Sequence, residues 1–271
     1  MKNKIFPALM AGVLTLTVLT ACGGGQAPQS EEKGSDLLAA IQAKGEIVVA
    51  MEGTWAPWTY HDETGELVGY DVEVAQAVAE ELGVKVSFAE SGWDSLLAGL
   101  ESGRYDIIVN GVEIDETRQE KFDFSLPYAY NRTAVIVRGD NEEIQSMEDL
   151  EGKRTANTIS STYAAVAQKY GAEVTGVDDL NQTFELLTSG RIDATLNADV
   201  SYHDYMRAHP EADIKIACLD PDPTQVAIPM RKGEESAALR EAIDKALTQL
   251  SEDGTLTELS TKYFGVDISQ K

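Results

Sequence analysis

The stretch DVEVAQAVAEELGVKVSFAESGWDSLLAGLESGRYDIIVN, residues 71–110, decides the fold. Asp71 stands where an N-cap would, Val74, Ala75, Val78 and Ala79 recur at helical spacing, and Gly83 closes the pattern. Residues 84–88 then read as a short apolar strand, 94–100 as a second helix closed by Gly103, and 105–110 as a buried strand. Helix and strand patterns alternating at this spacing are the mark of parallel α/β units.

The same alternation extends outward. Upstream, a helix over residues 36–41 stops at Gly45, a strand covers 47–51, and a turn at 61–65 joins two further strand-like pieces. A second series runs from about residue 135 to 227, with strands near 154–157, 174–177, 194–197, 214–217 and 226–228. Helices between them cover 162–170, 180–188 and 200–208; amphipathic stretches at 235–250 and 255–264 close the chain, divided at Asp253-Gly254. For 271 residues, two α/β lobes of about 100 residues each suit the usual domain size better than one sheet. Ligands bind beyond the C-terminal ends of such strands, so two facing lobes share one cleft.

Composition removes most other functions. Lys and Arg number 22 against 46 Asp and Glu, a net charge of −24. A phosphate backbone needs a basic face, so nucleic acid is not expected as a partner. Two cysteines, Cys22 and Cys218, and three histidines without ligand spacing leave no expected metal site, and no cofactor is implied.

Residues 1–21 read as an export signal: Lys2 and Lys4 precede a short apolar run without acids. It ends in Leu19-Thr20-Ala21-Cys22, which resembles the bacterial lipobox, where the cysteine is lipidated and becomes the new N-terminus. Residues 22–35 read as a flexible tether rich in Gly, Gln and Ser. Loss of the two leader lysines takes the charge from −24 to −26. The expectation is an exported domain anchored to the membrane through lipidated Cys22 alone, with Cys218 a buried small apolar residue.

Four clusters follow predicted strands, where cleft residues belong: residues 52–58 (EGTWAPW), 91–94 (SGWD), 110–118 (NGVEIDETR) leading into 122–128 (FDFSLPY), and 158–163 (TISSTY). Together they suit a small zwitterion. An arginine binds a carboxylate bidentately, hydroxyls at a helix N-terminus add donors, carboxylates hold an ammonium, and aromatic walls enclose the side chain.

From residue 35 onward the chain resembles the polar amino-acid class of solute-binding proteins of ABC transporters, bacterial extracellular family 3, and is nearest in look to the cystine and polar amino-acid branch. The resemblance rests on Gly69-Tyr70-Asp71, on WDSLLAGLESGRYD from Trp93, and on Arg118 ahead of Asp123-Phe124-Ser125-Leu126-Pro127-Tyr128. Gly190-Arg191-Ile192-Asp193-Ala194, Asp253-Gly254-Thr255 and Lys262-Tyr263-Phe264-Gly265 add to it. It implies a two-lobed fold of the type II periplasmic-binding-protein kind, with lobe 1 formed by residues 36–131 and 228–271 and lobe 2 by 132–227.

By position, the resemblance implies that Arg118 clamps the ligand α-carboxylate with Ser161 and Thr162, and that Trp55 and Trp93 flank its side chain. It puts Glu52 near the distal end, in the context of Asn110, and gives Gly111 a backbone carbonyl for the α-ammonium. Asp71 is taken as a helix cap and Asp123 as structural. Two departures bear on the ammonium: Glu113 stands where the family commonly has a hydroxyl, and Ala198 where it commonly has an aspartate, with Asp199 next. Either Glu113 or Asp199 supplies the missing carboxylate.

The resemblance implies a monomeric binding protein that closes on an L-amino acid, cystine or glutamine among the candidates, and delivers it to an ABC permease. Glu52 and Glu113 disfavour an acidic ligand side chain. The hinge is expected at residues 130–133 and 226–229. Alternatives are a dehydratase on the same fold, with Glu113 or Glu52 as general acid, and a sensor presenting ligand to a receptor.

Overall fold

The computed structural model describes residues 36–271, so the leader, the tether and Cys22 lie outside the described residues. The chain first forms α1 (Leu37–Lys44), β1 (Glu46–Met51), the small strands β2 (Thr54–Trp55), β3 (Thr59–His61) and β4 (Leu67–Val68), and α2 (Tyr70–Glu81). It continues with β5 (Lys85–Glu90), α3 (Trp93–Glu101), β6 (Ile107–Ile108), α4 (Glu116–Lys121), β7 (Phe122–Phe124) and β8 (Ala129–Asn131). The second series holds β9 (Thr133–Arg138), β10 (Arg154–Asn157), α5 (Thr162–Lys169), β11 (Glu173–Gly176), α6 (Leu180–Thr188), β12 (Ala194–Ala198), α7 (Asp199–Ala208) and β13 (Ile214–Leu219). Then come β14 (Thr224–Val226), β15 (Pro229–Arg231), α8 (Glu234–Glu252) and α9 (Thr255–Phe264).

Local chemistry accounts for the helix ends. Asp36 accepts from the backbone N–H groups of Leu38 and Ala39 at 3.1 and 3.3 Å, and Gly45 closes α1 in the left-handed region. Ser161, Asp179 and Asp115 cap α5, α6 and α4 in the same way. Asp71 is a correction: it sits inside the first turn of α2, whose N-cap is Gly69. The N–H groups of Tyr70 and Asp71 donate instead to the carbonyls of Pro57 and Trp58, both at 3.0 Å. Gly69 has φ 133°, and a Cβ there would meet the Trp58 carbonyl oxygen at 2.2 Å, so only glycine allows this docking. The Asp71 carboxyl is thereby free to turn inward and accept from the Tyr128 hydroxyl at 2.7 Å.

Two five-stranded sheets result, ordered β5-β1-β6-β15-β7 and β11-β10-β12-β9-β13. The strands β5, β1 and β6 are parallel, as are β11, β10 and β12. The sheets are nevertheless mixed rather than parallel throughout, because β15 and β9 run antiparallel to their neighbours. Each of these two strands enters its sheet straight from the other half of the molecule. A parallel neighbour needs a crossover helix, and none precedes either strand. Burial follows the strand period: Ile47, Val49 and Met51 pack with α1, α2, α8 and α9, whereas Ala50 and Ile108 pack with α3.

Between the sheets, β8 and β14 form a two-stranded antiparallel pair with Asn131 opposite Thr224 and Ala129 opposite Val226. The strand expected at 226–228 is split here: β14 ends at Val226 and β15 begins at Pro229. Cys218 lies on β13 and is only partly buried, not buried as expected; burial and nearby acids push its thiol up to about 11.

Candidate functional site

The cleft is built from loops that leave the strand ends of both sheets, and encloses about 520 Å³ counting the part open to solvent. On the first lobe, Glu52 follows β1. Its N–H donates to Asn110 Oδ1 at 2.7 Å, and Asn110 Nδ2 returns a bond to Glu52 Oε2 at 2.9 Å. Asn110 is itself fully buried, so it braces Glu52 from below rather than facing the cleft. Burial pushes the Glu52 carboxyl up to about 7; the Asn110 bond opposes this, and Asp179 and Asp94 add to it.

Trp55 stacks on Trp58 with ring centroids 5.4 Å apart and forms one wall. Gly111 allows that approach: its φ is 56°, and a Cβ would lie 2.6 Å from the Trp55 ring. Trp93, at the first position of α3, is buried with its ring 5.2 Å from the Arg118 guanidinium carbon.

Arg118 is buried on α4, whose cap Asp115 accepts both its backbone N–H at 2.9 Å and its Nε at 3.1 Å. Nη1 donates to the Glu113 carbonyl at 2.8 Å, and Nη2 reaches Ser160 O of the other lobe at 3.3 Å. Burial lowers its pKa from the usual arginine value, and Asp115 and Glu113 oppose that shift. The guanidinium is thus fixed in plane and aimed into the cleft. Glu113 is 3% exposed. It accepts from the Thr224 hydroxyl at 2.9 Å and, across the cleft, from the Thr162 hydroxyl.

Glu52, Trp55, Trp93, Gly111, Glu113, Arg118 and Thr162 therefore line one space. Three expected residues do not join them. Asn110 lies beneath; Ser161 spends its Oγ on the Ala164 N–H at 3.1 Å; and Asp199 begins α7, its carboxylate on the Val200 N–H at 2.9 Å and its own N–H on Arg132. At the end of β12 the cleft is met instead by Asn197. Thr54, Thr158 and Tyr163, which belong to the expected cleft clusters without an individual role, line the site as well, and Asp179 and Leu180 lie outside every expected cluster. Asp179 was legible as a helix cap ahead of residue 180, but nothing in its neighbours tells that its loop crosses to face Glu52. Among the described residues no group of His, Cys, Asp and Glu could hold a metal, and no helix is long and apolar enough to cross a membrane.

Residues 47–266 match the family model of bacterial extracellular solute-binding proteins, family 3. The chain belongs to that family. This solute-binding protein is 39% identical over 273 residues to the L-cystine-binding protein TcyA of Bacillus subtilis (strain 168), covering all of both chains. Among solved structures it resembles an ancestral arginine-binding protein bound to arginine, with TM-score 0.76 and 36% identity over 82% of this chain and 99% of that one. It also resembles the L-cystine solute receptor of Neisseria gonorrhoeae in its unliganded open conformation, with TM-score 0.60 and 40% identity over 87% of this chain and 99% of that one.

The closer sequence of these two has the less similar shape. That is the result expected if this solute-binding protein has its lobes closed. Three hydrogen bonds across the cleft agree: Thr162 to Glu113, Arg118 to Ser160, and Ser160 to Asp94.

Proposed function

We propose that this chain is the extracytoplasmic binding protein of an amino-acid ABC permease, tethered through lipidated Cys22, and that it captures an L-amino acid with a polar or cationic side chain. The observation behind this reading is the buried pair of Arg118 and Glu113 on one wall, with opposite charges for the two ends of an α-amino acid. Arg118 takes the α-carboxylate. Glu113, not Asp199, takes the α-ammonium, because Asp199 is turned away against its own helix. The side chain runs between the tryptophans toward Glu52 and Asp179, which repel an acidic ligand. Lobe 1 comprises residues 36–131 and 228–271 and lobe 2 residues 132–227, with the β8–β14 pair as the hinge. Nothing in this binding needs a catalytic step, and relatives named as amino-acid-binding proteins support that reading.

The test is a thermal-shift screen of the exported chain against the amino acids, cystine, ornithine and prephenate. A specific ligand at about 100 times its Kd stabilises the protein by about 2.7 kcal/mol. The shift disappears in Arg118→Ala and Glu113→Gln and survives in Asp199→Asn. Loss in Asp199→Asn alone overturns the role given to Glu113, and a response only to prephenate favours the dehydratase.

A further inference from the structure

Glu113 is joined by its backbone to the β8–β14 pair. Ile114 N–H donates to Gln225 O at 2.9 Å, Ala227 N–H donates to Val112 O at 3.0 Å, and Glu113 itself lies opposite Val226. These bonds set Thr224, the first residue of β14, beside the Glu113 carboxylate, whose Oε1 accepts from the Thr224 hydroxyl at 2.9 Å. Thr224 is half-buried and faces β8 on its other side, where it pairs with Asn131. The Asn131 backbone oxygen, at 3.3 Å, and its side-chain oxygen both meet the same hydroxyl. A hydroxyl has one proton to give, and a carboxylate is the strongest acceptor of the three, so Thr224 donates to Glu113.

The second side-chain donor on Glu113 comes from elsewhere. Thr162 starts α5, which packs on β10, β11 and β12 of the other sheet and reaches Glu113 only across the cleft. When the lobes part, Thr162 leaves with α5. Thr224 stays, because the backbone bonds that place it belong to the same strands as Glu113. We infer that Thr224 is a positioning residue for the α-ammonium: it keeps the Glu113 carboxylate aimed into the cleft before the lobes close, so that the charge separating an amino acid from other carboxylates is preset by the strands of the hinge. This rests on the reading above that Glu113 takes the ammonium. Without the Thr224 proton, Glu113 in the open cleft turns to water for its donors and must be brought back when an ammonium binds.

Calorimetric titration of the protein with L-arginine, L-glutamine and L-cystine, each beside its α-hydroxy acid, tests the inference. The hydroxy acid keeps the side chain and the carboxylate for Arg118 but carries no ammonium. The wild type binds at least one of the three amino acids, and at least about tenfold more tightly than its hydroxy acid. Thr224→Val, which keeps the shape and removes the proton, loses most of that preference by weakening the amino acid alone; the unchanged hydroxy-acid affinity also shows that the variant is folded. Thr224→Ser restores the preference. An equal loss for both ligands means that Thr224 only supports the hinge and overturns the inference, as does an unchanged preference in Thr224→Val or a Thr224→Ser that behaves like it. Equal affinities in the wild type overturn the role given to Glu113 and this inference together, leaving amino-acid binding in place. Failure of all three amino acids to bind overturns the ligand class as well.

Discussion

Two carboxyls near the cleft are held at about 7, Glu52 and Asp71, and burial is the first cause in both. Asp71 is fully buried, with one oxygen on the Tyr128 hydroxyl and the other without a side-chain or backbone donor. In the unfolded chain such groups release their protons near pH 4. Between about pH 4 and 7 the folded state therefore binds more protons than the unfolded one, and stability falls as pH rises. The contribution is whole below pH 4 and gone above 7. Asp71 accounts for at most about 4 kcal/mol, and Glu52 for less, because its shift is smaller and it is partly exposed. Asp71→Asn and Glu52→Gln should each flatten the decline in melting temperature from pH 5 to 8, raising the midpoint at pH 8 and hardly changing it at pH 5. A parallel shift at both pH values would show that neither carboxyl changes its protonation in this range.

At the scale of elements, α5 separates two jobs that its sequence does not. Ser161 and Thr162 are adjacent hydroxyls at a helix start, yet Ser161 closes its own first turn and Thr162 reaches over to Glu113. Ser161→Ala should cost about 1 kcal/mol, read as a lower melting temperature, with ligand affinity unchanged. A fall in affinity without a fall in stability would return Ser161 to the site. This division shows what was legible. Element type followed from period and caps, so residues 154–157, 180–188 and 255–264 read from sequence coincide with β10, α6 and α9. What failed depended on distant partners. Asp71 has the chemistry of a cap, but the helix begins one residue before it, and the Glu73 N–H that a cap at 71 would have satisfied already donates to the Gly69 carbonyl at 3.1 Å. The antiparallel β9 and β15 owe their direction to the crossing between lobes, which no local pattern encodes. In the cleft, residues next to a motif were legible: Arg118 after its cap, Trp55 after β1. Asp179 and Asn197 were not, since their place is set by how the second sheet faces the first.

For the molecule as a whole, the closed arrangement is held by bonds that exist only when the lobes meet. Ser160 makes two of them, its carbonyl accepting from Arg118 at 3.3 Å and its hydroxyl bonding to Asp94. Neither Ser160 nor Asp94 walls the main ligand space. Ser160→Ala keeps the carbonyl and removes only the hydroxyl bond, worth about 1 kcal/mol. That energy acts on the open–closed equilibrium and not on any ligand contact. Apparent affinity scales with the closed population, so Kd should rise by up to about fivefold, chiefly through faster dissociation. The melting temperature of the ligand-free variant should barely change, since each lobe keeps its own core. Small-angle scattering should show a larger radius for the ligand-free variant than for the wild type, and the same radius for both when ligand saturates them. An unchanged Kd together with an unchanged radius would mean that Ser160 does not help hold the lobes together, leaving Glu113 and Thr162 as the contacts that a bound ammonium must complete.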